Sequence, residues 1–297
     1  MEVHATGAAL GAEVQGVDLS APMTPALAGQ LRDAWHQHLV LLVRGQTLDA
    51  QSYMNAISVF GKPQVGANRA YFKRAGRDNP HELEQFPEIS LMTNLGPDGK
   101  PAMENEGLGS QEVVWHSDNS YIERPPAGSS LYALEIPPDG SGRTSFSNQY
   151  MALEELPPAI RQQIEGRCSK QDATRNSAGR LRPGVEMPER PEDVPGPMHP
   201  LIRKHPDTGR SALYLGRRRV WPSQYIEGYD NEASEALLDD LWAHATNDRY
   251  TWQHSWRVGD LLIWDNRVTL HFREPVNTAH RRLLWRSQFQ GEDVLAA

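Results

Sequence analysis

Two short polar islands sit in otherwise apolar, β-type sequence: Trp115-His116-Ser117-Asp118 and, far downstream, Val268-Thr269-Leu270-His271-Phe272. On an extended strand alternate side chains share a face, so His116 and Asp118 point the same way. A second strand laid alongside would present His271 to the same point. Two imidazoles and one carboxylate would then converge. That donor set holds Fe(II) by one face of its octahedron and leaves the other positions for cosubstrate and oxygen. Zinc accepts the same donors. With 11 histidines and 38 acidic residues among 297, such a combination also arises by chance, so the pattern alone is weak.

The stretch after His271 adds weight. From Arg281 to Phe289 the sequence alternates: Arg282, Leu284, Arg286 and Gln288 share one face, and Leu283, Trp285, Ser287 and Phe289 the other. Taken by itself this reads more readily as a solvated edge strand whose arginines discourage aggregation. If the basic face lines the same cavity as His271, its guanidinium groups require anions to offset their desolvation.

Nearly the whole chain resembles the taurine and 2,4-dichlorophenoxyacetate dioxygenases, which use Fe(II) and 2-oxoglutarate. The resemblance rests on Trp115-His116-Ser117-Asp118-Asn119-Ser120-Tyr121, Pro125-Pro126-Ala127-Gly128, Gly142-Arg143-Thr144, and the run from Trp264 to His271. It implies that His116, Asp118 and His271 are the iron ligands and that Thr144 and Arg282 hold the distal carboxylate of 2-oxoglutarate. Arg286 then corresponds to a second arginine beside the bound acids, able to hold an anionic substrate. The family's fold would be a double-stranded β-helix, the cupin-like jelly roll, with flanking helices and long lid loops. Its reaction would consume O2, release succinate and CO2, and oxidise a C–H bond, most readily by hydroxylation. Desaturation, ring closure or cleavage next to a heteroatom uses the same ligands.

The sequence departs from taurine dioxygenase in the segment after Phe60-Gly61. Gly66 and Arg69 stand where that enzyme has a substrate-pocket histidine and tyrosine, and Glu112 stands in place of its asparagine, which points away from taurine as substrate. Glu112 and Asn119 are therefore candidate substrate contacts, and substrate choice is expected in the stretch containing Lys73, Arg74, Arg77 and His81, because functional loops vary on a rigid scaffold. Two other classes remain open. A zinc hydrolase would use the three ligands to acidify water but has no need of a carboxylate clamp; a catalytically silent jelly-roll protein would merely bind an acidic ligand.

A chain of 297 residues can bury a large core as one domain, 1–297, with lid insertions expected at about 61–112 and 171–196. One cysteine, Cys168, excludes an internal disulfide and fits a reducing cytoplasm. Neither a secretory leader nor a membrane span is expected, and a net charge of −8 argues against nucleic acid as partner. A small anionic molecule is the expected partner, and a homo-oligomer is left open.

Periodicity predicts strands at Val14–Leu19, Leu39–Arg44, Val113–Tyr121, Ser129–Ile136 and Thr144–Ser147, with three more at the end of the chain. Helices are predicted at Pro25–His38, Gln51–Phe60, Tyr150–Glu165 and Asn231–Thr246, and a hairpin around Pro206-Asp207-Thr208-Gly209. Strand parity turns Trp264 and Trp285 away from the metal side. His36 and His38, at a helix end, read as structural, and Asp265-Asn266 as a turn that positions His271.

Overall fold

The structure, a computed structural model, describes residues 1–66, 82–96, 98–103, 109–175, 181–182, 184–219 and 221–297. Two antiparallel-rich sheets carry the molecule. Among the described residues the larger runs β1 (Glu2–Ala5), β2 (Ala12–Gln15), β3 (Val40–Val43), β15 (Leu261–Asp265), β8 (Gly128–Glu135), β17 (Leu283–Phe289), β6 (Phe86–Thr93), β5 (Glu82–Leu83), with β4 (Pro63–Gln64) on the end of β17. The smaller runs β14 (Thr251–His254), β9 (Thr144–Asn148), β16 (Thr269–Arg273), β7 (Val113–His116). Short strands β10 (Cys168–Lys170) with β11 (Met198–Pro200), and β13 (Ser211–Leu213) with β12 (Ile202–Lys204) and β18 (Leu295–Ala296), flank them. This is the jelly-roll architecture expected from the sequence.

Strand alternation sorts the core into three layers. From β15, Leu261 and Ile263 pack under the helices Pro25–His38 and Ala50–Ile57 with Leu31, Trp35, Tyr53 and Ile57. Leu262 and Trp264 turn the other way, meeting Phe146 of β9, Val40 and Leu42 between the sheets. Leu270 of β16 faces outward onto Leu153, Leu237, Leu241 and Trp242 of the helices behind the smaller sheet. Each sheet therefore has one face under helices and one face on the shared interior. The side chains at His271 and Arg273, two-residue steps along β16, belong to that interior.

The helix Pro25–His38 forms as predicted: Thr24 caps it by accepting from the Leu27 amide, and Pro25 sits at its first turn, where a missing N–H costs nothing. The predicted helix Tyr150–Glu165 is instead two, Gln149–Glu154 and Pro158–Ile164. Pro157 and Pro158 bias the preceding residues out of the helical region and remove two donors. The first strand is displaced as well. Gly16, at φ 71°, ends β2 at Gln15, and β1, not predicted from the periodicity, pairs with β2. Within 61–112, read as irregular, lies the eight-residue strand β6, paired with both β5 and β17. Residues 67–81, which include Lys73, Arg74, Arg77 and His81, lie outside the described residues, as do 97, 104–108, 176–180, 183 and 220.

Candidate active site

β16 and β7 pair with His271 directly opposite His116, so the two imidazoles meet across a strand pair with ring centroids 4.1 Å apart. Asp118 follows β7 by two residues and turns its carboxylate to both: its Oδ1 lies 3.7 Å from His116 Nε2 and 3.6 Å from His271 Nε2. All three are buried. One ligand atom from each falls within 4.8 Å of the others, a spacing a metal ion can bridge.

The protonation states suit a cation. His116 Nδ1 lies 2.8 Å from the Val114 carbonyl, which can only accept, so Nδ1 carries the hydrogen and Nε2 presents its lone pair to the cluster. Burial pushes both imidazoles below their ordinary pKa, His271 far below, with His116 adding to the effect on His271. Burial acts to raise Asp118, but the Arg286 guanidinium and the two histidines outweigh it and hold the carboxyl well below the usual range. Two neutral imidazoles and a carboxylate are what a divalent ion requires.

Asp118 is held from several sides. Ser129 Oγ donates to its Oδ2 at 2.6 Å, and Arg286 reaches its Oδ1 at 2.5 Å. Asn266 accepts from the Asp118 amide at 2.7 Å and donates to its carbonyl at 3.0 Å. The Asp265-Asn266 turn thus positions Asp118 through Asn266. Asp265 itself closes a buried network, accepting from Arg267 at 2.7 Å and lying 2.9 Å from His205. Trp264 contradicts the parity expectation. It faces the inter-sheet interior, and its ring centroid lies 5.0 Å from that of His271. Trp285 does face away, against Tyr53 and Tyr132.

Further along the same interior lie Thr144 and Arg282. In β9, Thr144 has His254 of β14 on one side and Arg273 of β16 on the other. Trp256 Nε1 donates to the Thr144 hydroxyl at 3.0 Å, which leaves that hydroxyl's own hydrogen for another acceptor. The Arg282 guanidinium lies 5.9 Å from the centroid of the same Trp256 ring. Arg282 is 3% exposed, its Nε has no hydrogen-bond partner, and no carboxylate among the described residues pairs with it. Burial, then the nearby Arg273 charge, drive its pKa well below the ordinary arginine value. A buried guanidinium without a counter-ion, beside a free hydroxyl hydrogen, fits a carboxylate ligand. Gly142 makes the space: at φ 79°, a Cβ there would come within 3.2 Å of Arg282 Nε.

Asn119, in the left-handed region at φ 49°, donates to Gln288 Oε1 at 3.1 Å and accepts from Tyr121. It lines a cavity with Gly66, Glu88, Ser90, Arg286, Ser287 and Gln288. Glu112 is not brought there; it is exposed just before β7. Ser129, Trp256 and Arg217 were not singled out from sequence. Arg217 forms a bridge opposite His116, and burial followed by the Arg219 charge pushes it down to about 10. The signal for Ser129 was available: Gly128-Ser129-Ser130 is a small, polar start to an otherwise apolar buried strand.

Residues 2–288 match the family described as "Taurine catabolism dioxygenase TauD, TfdA family". The chain belongs to that family. By class it is a 2-oxoglutarate-dependent non-haem iron dioxygenase. It is 30% identical over 283 residues to the alpha-ketoglutarate-dependent 2,4-dichlorophenoxyacetate dioxygenase of Burkholderia sp. (strain RASC), covering 94% of this chain and 91% of that one. It is 30% identical over 289 residues to the pentalenolactone F synthase of Streptomyces arenae, with the same coverage. The crystal structure of AAD-2 in complex with Mn(II) and N-oxalylglycine superposes with a TM-score of 0.79 at 25% identity, over 100% of this chain and 98% of that chain. Among the described residues, no helix is long and apolar enough to cross a membrane.

Proposed function

We propose that this dioxygenase uses Fe(II), 2-oxoglutarate and O2 to hydroxylate an unactivated C–H bond of a small anionic substrate, with release of succinate and CO2. The observation that carries the reading is the pairing, on one buried interior, of the His116, Asp118 and His271 cluster with an Arg282 guanidinium that has no carboxylate partner among the described residues. A zinc hydrolase would have use for the first and none for the second.

In this reading iron, 2-oxoglutarate and oxygen supply the oxidising chemistry, and the protein supplies position, charge and dryness. His116 Nε2, His271 Nε2 and the Asp118 carboxylate hold the metal. Arg282 donates to the distal carboxylate of 2-oxoglutarate, and Thr144, its oxygen already engaged by Trp256, gives its hydroxyl hydrogen to the same group. Trp264 and Phe146 cover His271, their ring centroids 5.0 and 6.2 Å from its own, and exclude water from that side. Arg286, between Asp118 and the cavity, is the group to hold the substrate's anion within reach of the metal. Relatives named for phenoxyacetate, phenoxypropionate and sulfate ester substrates, all anionic, support that choice.

The test is oxygen consumption coupled to succinate release over a panel of small acids with added Fe(II), run with and without oxygen, followed by product mass. Succinate formed only with oxygen, and a product heavier by one oxygen atom, are expected. Substrate turnover without oxygen or 2-oxoglutarate would overturn the reading in favour of hydrolysis.

A further inference from the structure

β6 and β17 pair with Ser90 opposite Arg286, so the two-residue period of a strand carries Glu88 and Ser90 onto the face that holds Arg286 and Gln288. All four line the cavity beside the metal cluster, with Asn119, Ser287 and Gly66. Every described side chain in that lining is polar, and two of them are charged. Those two differ in state. Arg286 is engaged by Asp118 at 2.5 Å, whereas Glu88, half-buried, makes no hydrogen bond or ion pair among the described residues. Asn119 donates to Gln288 Oε1 at 3.1 Å and accepts from Tyr121, and the Gln288 amide donates to Ser129. A carboxylate offers only acceptors, so what suits Glu88 is a donor, and a charged donor best. Gly66 leaves room for one: a Cβ at that position would come 3.1 Å from Ser90 Oγ, next to Glu88 on the strand.

We propose that Glu88 is a specificity-determining residue that accepts hydrogen bonds from an ammonium group on the substrate, so that the substrate is an amino acid type of zwitterion, its anionic end toward Arg286 and its ammonium toward β6. This deepens the oxygenase reading above and rests on it for the position of the reacting carbon. Among the described residues the lining differs from one built around an aromatic ring, because Glu88, Ser90, Asn119 and Gln288 would strip such a ring of water without giving it apolar contact.

The experiment uses the full chain loaded with Fe(II) and 2-oxoglutarate under anaerobic conditions. Calorimetric titration compares ω-amino carboxylates with n-alkyl carboxylates of equal length, from three to eight carbons. At one or more lengths the amino acid should bind about tenfold more tightly, the value of one charge-assisted hydrogen bond in a partly wet site. Glu88→Gln should erase the difference, and Glu88→Asp, which keeps the charge, should retain part of it. Both variants should bind 2-oxoglutarate as the wild type does, which shows them folded. No length at which the ammonium improves binding, or an improvement that survives Glu88→Gln, overturns the assignment. If the ammonium preference and its loss in Glu88→Gln hold while no acid in the series stimulates succinate release in air, Glu88 keeps its role and the oxygenase reading falls.

Discussion

Two arginines four residues apart in sequence, Arg282 just before β17 and Arg286 within it, sit in opposite electrostatic states. At the His116–Asp118–His271 end Arg286 meets the Asp118 carboxylate, which also accepts from Ser129 and faces two histidines. Charge there is balanced by the protein itself. At the other end Arg282 is more deeply buried, its Nε has no partner among the described residues, and its near neighbour Arg273 is a second cation. A buried unpaired charge costs several kcal/mol, on the order of the whole stability of a domain, and persists where a ligand completes it. In the proposed function the difference separates a site that would hold a cation from a site that would receive an anion.

The largest expected effect tests the first half of that contrast. His271→Ala removes one of two opposed imidazoles and should abolish iron binding and turnover together, while far-ultraviolet circular dichroism stays that of the wild type. Stoichiometric iron with normal turnover in the variant would remove His271 from the ligand set. Next comes the anion end. Arg282→Ala should cost roughly 2–5 kcal/mol in 2-oxoglutarate affinity, because the carboxylate is left buried and unpaired. Arg286→Ala should weaken the organic substrate far more than 2-oxoglutarate, and the ratio of the two affinities in the two variants is the measurement. Equal ratios would show that both arginines serve the same acid. The smallest effect is at Glu112, which is exposed and outside the cavity. Glu112→Gln should change neither affinity and shift stability by less than about 0.5 kcal/mol, as surface substitutions do. A large loss of substrate affinity in that variant would return Glu112 to the substrate pocket.

Parts of this architecture were legible in the chain because they are local. The alternation of Arg282, Leu284, Arg286 and Gln288 against Trp285 and Phe289 is a property of an extended backbone, and β17 displays it as written. Thr24-Pro25 announces a helix start through a hydroxyl acceptor and a fixed φ. Other parts were illegible for equally definite reasons. Pro157-Pro158 divides a helix whose apolar spacing continues across the break. β6 contains Pro87 and polar residues at 88 and 90, so its pattern looks irregular until its neighbours β5 and β17 supply hydrogen bonds on both sides.

By itself the sequence determined which residue types stand at two-residue steps on which strands, and with them the two histidines, the carboxylate and the basic face, since side-chain alternation needs no knowledge of the partner strand. Only the tertiary structure decided which of these groups meet. The register that sets His271 opposite His116, the Asn266 side chain that fixes Asp118 from 148 residues away, the ring of Trp264 against His271 and the Glu88 carboxylate in the cavity wall all come from pairings between distant segments. Those pairings are chosen by burial summed over both sheets, a quantity that no single stretch of chain contains.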